Sequence, residues 1–337
     1  MHDTILLDKV NSPSERLALQ VAEILNPVGV EEFLAEYWGK RSLHISGSVE
    51  KFAKLLDHKQ FVKASARADA LQAYMANKDR TGHAAVVAIR PAQIKALYAA
   101  GFTICAKGLE KGAPALAALA QQMKSELHYT GTVDFRGYLS GHASGAPLHF
   151  DARHATTLQL EGSKIWRFAA MPSMEFPPRN ATVEGNVVEY VKVDPQPRVR
   201  DLGIEPPLAQ TPPDLELMEV TLRPGDVLYL PPGTWHSAQA VGHSLAVNMA
   251  FNYAKQGTAI ELLTDVLYTL LYNDPRWRVT PPLSADNVPD GTMPDCVRHF
   301  LCERFEDARR IIETLDASDP RVEAVWRRRV NTTASPA

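Results

Sequence analysis

The sequence is poor in cysteine, nearly balanced in charge and free of long apolar runs, and each shortage narrows what the chain can be. Its three cysteines, Cys105, Cys296 and Cys302, are odd in number and unpatterned, which argues against a disulfide framework and for a reducing compartment. Cys296 and Cys302 have no second cysteine pair to complete a zinc motif. A net charge of -3 gives no electrostatic footprint for nucleic acid, so no direct nucleic-acid binding is expected. The clearest basic run, Arg327, Arg328 and Arg329 after Trp326, reads as a solvated helix face. No apolar stretch reaches membrane-span length, and the first residues lack the basic-then-apolar plan of a signal peptide. The expectation is a cytoplasmic protein with no membrane partner. The sequence also has no internal repeat and no low-complexity tract.

What is present is an ordinary globular composition, 45% hydrophobic and 22% charged, in a chain long enough for a large core. The first ~130 residues read as mainly helical with short strands. Helical spacing covers 14–25, 30–37, 49–56, 91–99 and 113–127, and strands are expected at 42–45, 84–89 and 102–106. From Gly131 to Tyr253 the strand signal dominates, with candidates at 132–139, 148–150, 156–160, 164–169, 187–193, 217–222, 227–230 and 244–251. So many short strands between glycine and proline turns suggest a closed barrel or jelly roll. Much of the proline falls between 172 and 232, and Met171 to Pro213 reads as a long insertion suited to a lid or binding loop. After Tyr253 helices are expected at 259–272, 296–315 and 320–329. The expected organisation is one domain over 1–254, with its barrel core at about 131–253, and a helical segment over 255–337.

Three residues carry the chemistry. His149 and Asp151 are two apart in a strand-to-loop setting, so both side chains leave one face of the strand. His236 follows in Arg223-Pro-Gly-Asp-Val-Leu-Tyr-Leu-Pro-Pro-Gly-Thr-Trp-His236, which reads as turn, strand, turn and ligand. Such a hairpin can return an imidazole to the side of the first strand. Two imidazoles and one carboxylate form a facial triad that leaves coordination positions open, an arrangement suited to non-haem iron(II).

These segments resemble the Jumonji-C-type, cupin-like 2-oxoglutarate oxygenases. The resemblance is carried by Pro147-Leu-His-Phe-Asp151, Leu160-Glu-Gly-Ser-Lys-Ile-Trp-Arg-Phe168, Pro224-Gly-Asp-Val-Leu-Tyr-Leu-Pro-Pro-Gly-Thr-Trp-His236 and Ser244-Leu-Ala-Val-Asn-Met-Ala-Phe251. Phe33 to Ile45 looks, more loosely, like the family's opening segment. The resemblance implies a mainly β fold with α elaborations: a double-stranded β-helix (cupin/jelly-roll) core, helical N-terminal elements and a helical C-terminal segment. It implies iron(II), 2-oxoglutarate and dioxygen.

By the same resemblance Lys164 pairs the distal carboxylate of 2-oxoglutarate, and Asn248, Ser244 and Tyr138 face the co-substrate or substrate. Ser140 is a weaker candidate on Tyr138's strand. The family often has a hydroxyl three residues before its first ligand; here that position is Ala146, and Thr157 is the substitute. Trp166 shares the strand face of Lys164, and Arg153 is placed beside the mouth to meet an acidic or carbonyl group; both are candidate substrate contacts. His142 and His154 read as loop residues and His243 as a turn residue.

The expected function is hydroxylation of an amino-acid side chain in a protein or peptide. The closest likeness is to bacterial ribosomal-protein hydroxylases, which carry a helical dimerisation segment after the barrel, so a homodimer is expected. The rival readings are a small-molecule or peptide natural-product hydroxylase or N-demethylase on the same scaffold, and a metal-binding cupin-fold protein without activity.

Overall fold

The structure is a computed structural model, and its described residues are 19–76, 83–184, 187–191, 208, 215–252, 257–283 and 292–331. The chain divides into two units, one extending to Lys255 and one running from Gln256 to Thr332. Within the first unit twelve strands form one antiparallel sheet: β1 (Leu43–Ile45), β2 (Ala70–Ala76), β3 (His83–Ala88), β4 (Thr103–Lys107), β5 (Thr132–Ser140), β6 (Gly145–Phe150), β7 (His154–Ala169), β8 (Ala181–Glu184), β9 (Val187–Tyr190), β10 (Leu217–Leu222), β11 (Val227–Leu230) and β12 (His236–Asn252). The main path runs β1-β11-β7-β12-β5-β4-β2-β3, with β10 on β7, and β6 bridging β12 to β8 and β9.

β7 and β12 organise the sheet because each is long enough to serve two sets of neighbours. Residues 236–240 of β12 pair with β6 and with the far half of β7; residues 244–252 pair with β5 and the near half of β7. The sequence suggests two strands where β7 is one. Gly162 explains the difference: it takes φ +62°, and a Cβ there would lie 1.8 Å from the carbonyl oxygen of His243. Glycine lets the strand pass through an irregular register that would otherwise end it. β12 likewise begins at His236, before the expected 244, and passes Gly242 at φ +107°.

Period-two alternation sorts β5 and β12 into a core face and a cavity face. The odd-numbered Val133, Phe135, Leu139, Leu245, Val247, Met249 and Phe251 are buried in the main core with Phe61, Ile104, Leu109 and Leu116 of the N-terminal elements. Burying each such side chain stabilises the fold by roughly 1.5–3 kcal/mol. The even-numbered Arg136, Tyr138, Ala246 and Asn248 line a cavity on the other side. The N-terminal elements therefore brace the wall of the cavity from behind.

β2 has no strand signal of its own. Ala70-Leu-Gln-Ala-Tyr-Met-Ala76 is built from good helix formers, and pairing with β3 and β4 overrides that preference. The expected helix at 30–37 is a short α-turn, Val30–Glu32, followed by a π-helical turn, Phe33–Tyr37. The helix His58–Ala64 lies just beyond the expected 49–56, which is a 3-10 turn over Val49–Phe52; Asp57 caps it by accepting from the Gln60 N–H. The 171–213 insertion contributes β8 and β9, and 192–207 and 209–214 fall outside the described residues.

The second unit contains helices Ala259–Tyr272, Asp295–Glu313 and Pro320–Asn331. Thr258 and Glu261 cap the first reciprocally. One expectation is corrected: Arg329 is not on a solvated face. It is 4% exposed, donating to the Asp265 carboxylate at 3.0 Å and to the Glu261 carbonyl at 2.5 Å. Burial of the long side chain fits its spacing on the helix face shared with buried Val325. Among the described residues no helix is long and apolar enough to cross a membrane.

Candidate metal centre

His149 and His236 come from neighbouring strands and are paired in register across β6 and β12. Their rings lie 4.2 Å apart between centroids. Asp151 follows the end of β6. One ligand atom from each of the three lies within 4.8 Å of the others. The Nδ1 of His149 donates to the Pro147 carbonyl, and that of His236 to the Thr234 carbonyl, both at 2.8 Å. A carbonyl can only accept, so each Nδ1 carries the proton and each Nε2 keeps its lone pair for a ligand role. Burial, and then the neighbouring His149, pull the pKa of His236 down to about 3, so it is neutral at physiological pH. For Asp151, burial alone would favour the protonated form; Arg153, the two imidazoles and Arg136 outweigh it and hold the carboxyl well below the usual range. Two imidazoles with their Nδ1 atoms committed to carbonyls, and an ionised carboxylate, are a donor set that fits a divalent transition-metal ion.

Asp151 is itself held on both oxygens. Asn180 Nδ2 donates to Oδ1 at 2.7 Å, and Arg153 Nη2 to Oδ2 at 2.9 Å. The Asn180 Oδ1 in turn accepts from the Ala152 N–H at 2.7 Å, which fixes the amide orientation. The Asp151 carbonyl accepts from the N–H of Gly233 at 2.9 Å. Gly233 has φ +80°, and a Cβ there would meet the Met174 carbonyl at 1.9 Å, so the Pro-Pro-Gly turn before His236 requires glycine. Asn180 lies in the proline-rich insertion, where nothing in the sequence marks it. Asn180→Ala is expected to lower metal affinity 10- to 100-fold through loss of carboxylate orientation, measured by chelator competition.

The three candidate ligands line a cavity of about 210 Å³. Lys164, Trp166, Tyr138, Thr157, Asn248 and Arg153 line the same cavity. Lys164 is 4% exposed and donates to Ser140 Oγ at 3.1 Å, with its ammonium 5.8 Å from the Tyr138 ring centre. Asn248 Nδ2 donates to Thr157 Oγ1 at 3.2 Å, and its buried Oδ1 has no partner among the described residues. Trp166 stacks on His236 at 5.8 Å.

Ser244 is outside this group. It is fully buried, receives the Gln159 amide at 3.0 Å and does not line the cavity, although it shares parity with Asn248. Its alternation along β12 is intact against β5, but the buried Gln159 side chain takes its hydroxyl and closes that position off from the cavity. Arg153 is not at a mouth: it is 5% exposed and its Nη2 is committed to Asp151. His154 is not a loop residue. It opens β7, stacks on Trp38 at 3.9 Å and accepts from the Tyr229 hydroxyl at 2.8 Å, and burial lowers its pKa to about 3. His243 lies within β12, where its ring nitrogens meet Tyr98 and Glu161, each at 2.8 Å.

The JmjC domain family model matches residues 113–258. The protein YxbC of Bacillus subtilis is 26% identical over 272 residues, 76% of each chain. The bifunctional lysine-specific demethylase and histidyl-hydroxylase NO66 of Aedes aegypti is 25% identical over 240 residues, 68% of this chain but only 34% of its own length. The chain thus spans about a third of that relative. The solved structure of YcfD, a ribosomal oxygenase from Escherichia coli, in complex with cobalt and 2-oxoglutarate, superposes with a TM-score of 0.56 at 15% identity, covering 91% of this chain and 72% of that one. Residues 113–258 thus match the JmjC domain model, and the fold is that of the YcfD structures.

Proposed function

We propose that the chain is an iron(II)- and 2-oxoglutarate-dependent hydroxylase of an amino-acid side chain in a protein or peptide. The carrying observation is one cavity that holds two imidazoles and a carboxylate together with a buried ammonium, Lys164, that makes no ion pair among the described residues. His149, Asp151 and His236 would hold iron through the two Nε2 atoms and a carboxylate oxygen. Iron bound there supplies dioxygen activation coupled to decarboxylation of 2-oxoglutarate to succinate and carbon dioxide, and oxygen insertion into a C–H bond.

The chain's own residues bind, orient and shield. Lys164 offers its ammonium to the distal carboxylate of 2-oxoglutarate, with Ser140 and Tyr138 beside it. Asn248 and Thr157 present polar atoms toward the same space, and Trp166 covers His236 on one side. Protein substrates are supported by the relatives, a lysine-specific demethylase and histidyl-hydroxylase and a ribosomal oxygenase. We also read the chain as a cytoplasmic homodimer, paired through Ala259–Tyr272, whose Ile260, Leu263, Tyr268 and Tyr272 are exposed; molar mass in solution checks the pairing.

The test is succinate formation by the purified chain with and without iron, joined to intact masses of ribosomal proteins from cells lacking it. Iron-dependent succinate and one protein lacking a single oxygen atom are expected. Absence of any iron-dependent succinate would remove the oxygenase reading.

A further inference from the structure

We propose that the end of the cavity away from Lys164 is a second anion subsite, built by Lys107 and Arg136 with Arg153 alongside, and that the substrate presents a carboxylate to it. This rests on the oxygenase reading and names the chemical class of its substrate.

Strand register builds the subsite. Lys107 of β4 and Arg136 of β5 are Cα partners, and Arg136 is in turn the partner of Asn248 on β12. Both basic residues line the cavity that the candidate ligands share. Arg136 stands on the even face of β5 with Tyr138. Lys164 reaches that strand at Ser140, four residues further on. At about 3.3 Å per residue the two positions on β5 are roughly 13 Å apart, so the basic groups approach the cavity from opposite ends.

The charge balance of the cavity leaves this end unsatisfied. Its lining holds four cationic side chains, Lys107, Arg136, Arg153 and Lys164, against one carboxylate, Asp151. A divalent ion and the 2-oxoglutarate dianion cancel each other and leave that excess in place. Among the described residues neither Lys107 nor Arg136 makes an ion pair within 4.0 Å. Asp151 is committed to Arg153 and Asn180. Asp151 and Asp134, two residues before Arg136, favour its charge without forming an ion pair with it. The buried Arg153 Nε also has no acceptor among the described residues. Like charges set opposite each other across two strands destabilise the sheet. Burial first, and the Arg136 charge after it, push the pKa of Lys107 down.

A carboxylate relieves it. The guanidinium fork takes two oxygens, the ammonium adds a point charge, and Gln72 and Tyr74 of β2 line the cavity as neutral polar neighbours. The carboxylate could belong to an aspartate or glutamate of a peptide or to a free carboxylic acid, and the same chemistry serves both.

The test is binding to the whole chain loaded with iron and saturating 2-oxoglutarate under anaerobic conditions, so that the Lys164 end is filled. One arm uses short peptides containing Asp or Glu and their Asn or Gln counterparts. The other uses small monocarboxylic acids and their primary amides. Acids in at least one arm are expected to bind about tenfold or more tightly than their amides, and less so at high salt. Arg136→Gln and Lys107→Gln should each erase about tenfold of that preference, and Arg136→Lys should retain part of it. Preference in the peptide arm identifies a protein substrate; preference in the free-acid arm identifies a small one. Equal binding of acids and amides in both arms, or a preference untouched by both glutamine variants, overturns the subsite. The oxygenase reading fails on a different result, absence of iron-dependent succinate from the wild-type chain.

Discussion

Asp151→Asn is expected to reduce iron-dependent turnover of 2-oxoglutarate by at least about 100-fold, more than loss of an orienting residue alone would cause. The asparagine keeps the shape of the carboxylate and can still accept from Asn180 or Arg153. What it loses is the negative charge, the only one that the cavity lining contributes. The donor set would then be neutral, opposed by Arg153 at close range and Arg136 beyond it. Chelator competition should show weakened metal binding, and succinate release should fall with it. Asp151→Ala is the harsher variant. It strands the Arg153 guanidinium, 5% exposed, without its carboxylate, and breaking a buried pair from one side costs about 3–5 kcal/mol. Comparing the melting temperatures of the two variants separates loss of the ligand from loss of the fold. Full iron-dependent turnover by Asp151→Asn would remove Asp151 from the ligand set.

The candidate ligands were legible because their signal is local. His149 and Asp151 share a strand face by spacing alone, and the Pro-Gly and Pro-Pro-Gly turns before His236 mark a hairpin on either side of Val227–Leu230. The strands 217–222 and 227–230 and the helix 259–272 match their sequence reading for the same reason. What was not legible depends on contacts distant in sequence. Asn180 reaches Asp151 from the insertion 29 residues away. Lys107 meets Arg136 only because β4 pairs with β5. β2, which adds Gln72 and Tyr74 to the wall, is composed like a helix. Ser244 and Arg153 differ from their reading in another way: parity and proximity were projected along the chain, but the Gln159 amide takes the hydroxyl of one, and Asp151 takes one nitrogen of the other and holds it inside the cavity rather than at a mouth. Periodicity finds faces, and it cannot find which groups across a face have already been satisfied.

Lys164 shows what an unsatisfied group predicts. Its ammonium is buried against Ser140 with no carboxylate in ion-pair range among the described residues, and burial lowers its pKa from 10.5 to about 8. In the unfolded chain the lysine keeps its proton until about pH 10.5; in the ligand-free fold it releases it near pH 8. Between those values the unfolded chain binds more protons, so stability of the ligand-free protein rises with pH across that window. Below pH 8 the cost of burying the charge is fully present, about 3 kcal/mol as an order of magnitude. Lys164→Met removes that cost and should raise the melting temperature of the ligand-free protein at neutral pH. The same change should weaken 2-oxoglutarate binding by about 100-fold or more, because the distal carboxylate loses its charged partner in a desolvated site. In the wild type, kcat/KM for 2-oxoglutarate should fall above pH 8 as the free protein loses the ammonium. The fall in kcat should come at higher pH, because a bound carboxylate stabilises the protonated lysine. A lysine kept only for packing would give the opposite pattern in the methionine variant, with co-substrate affinity unchanged. That outcome would take Lys164 out of the co-substrate site.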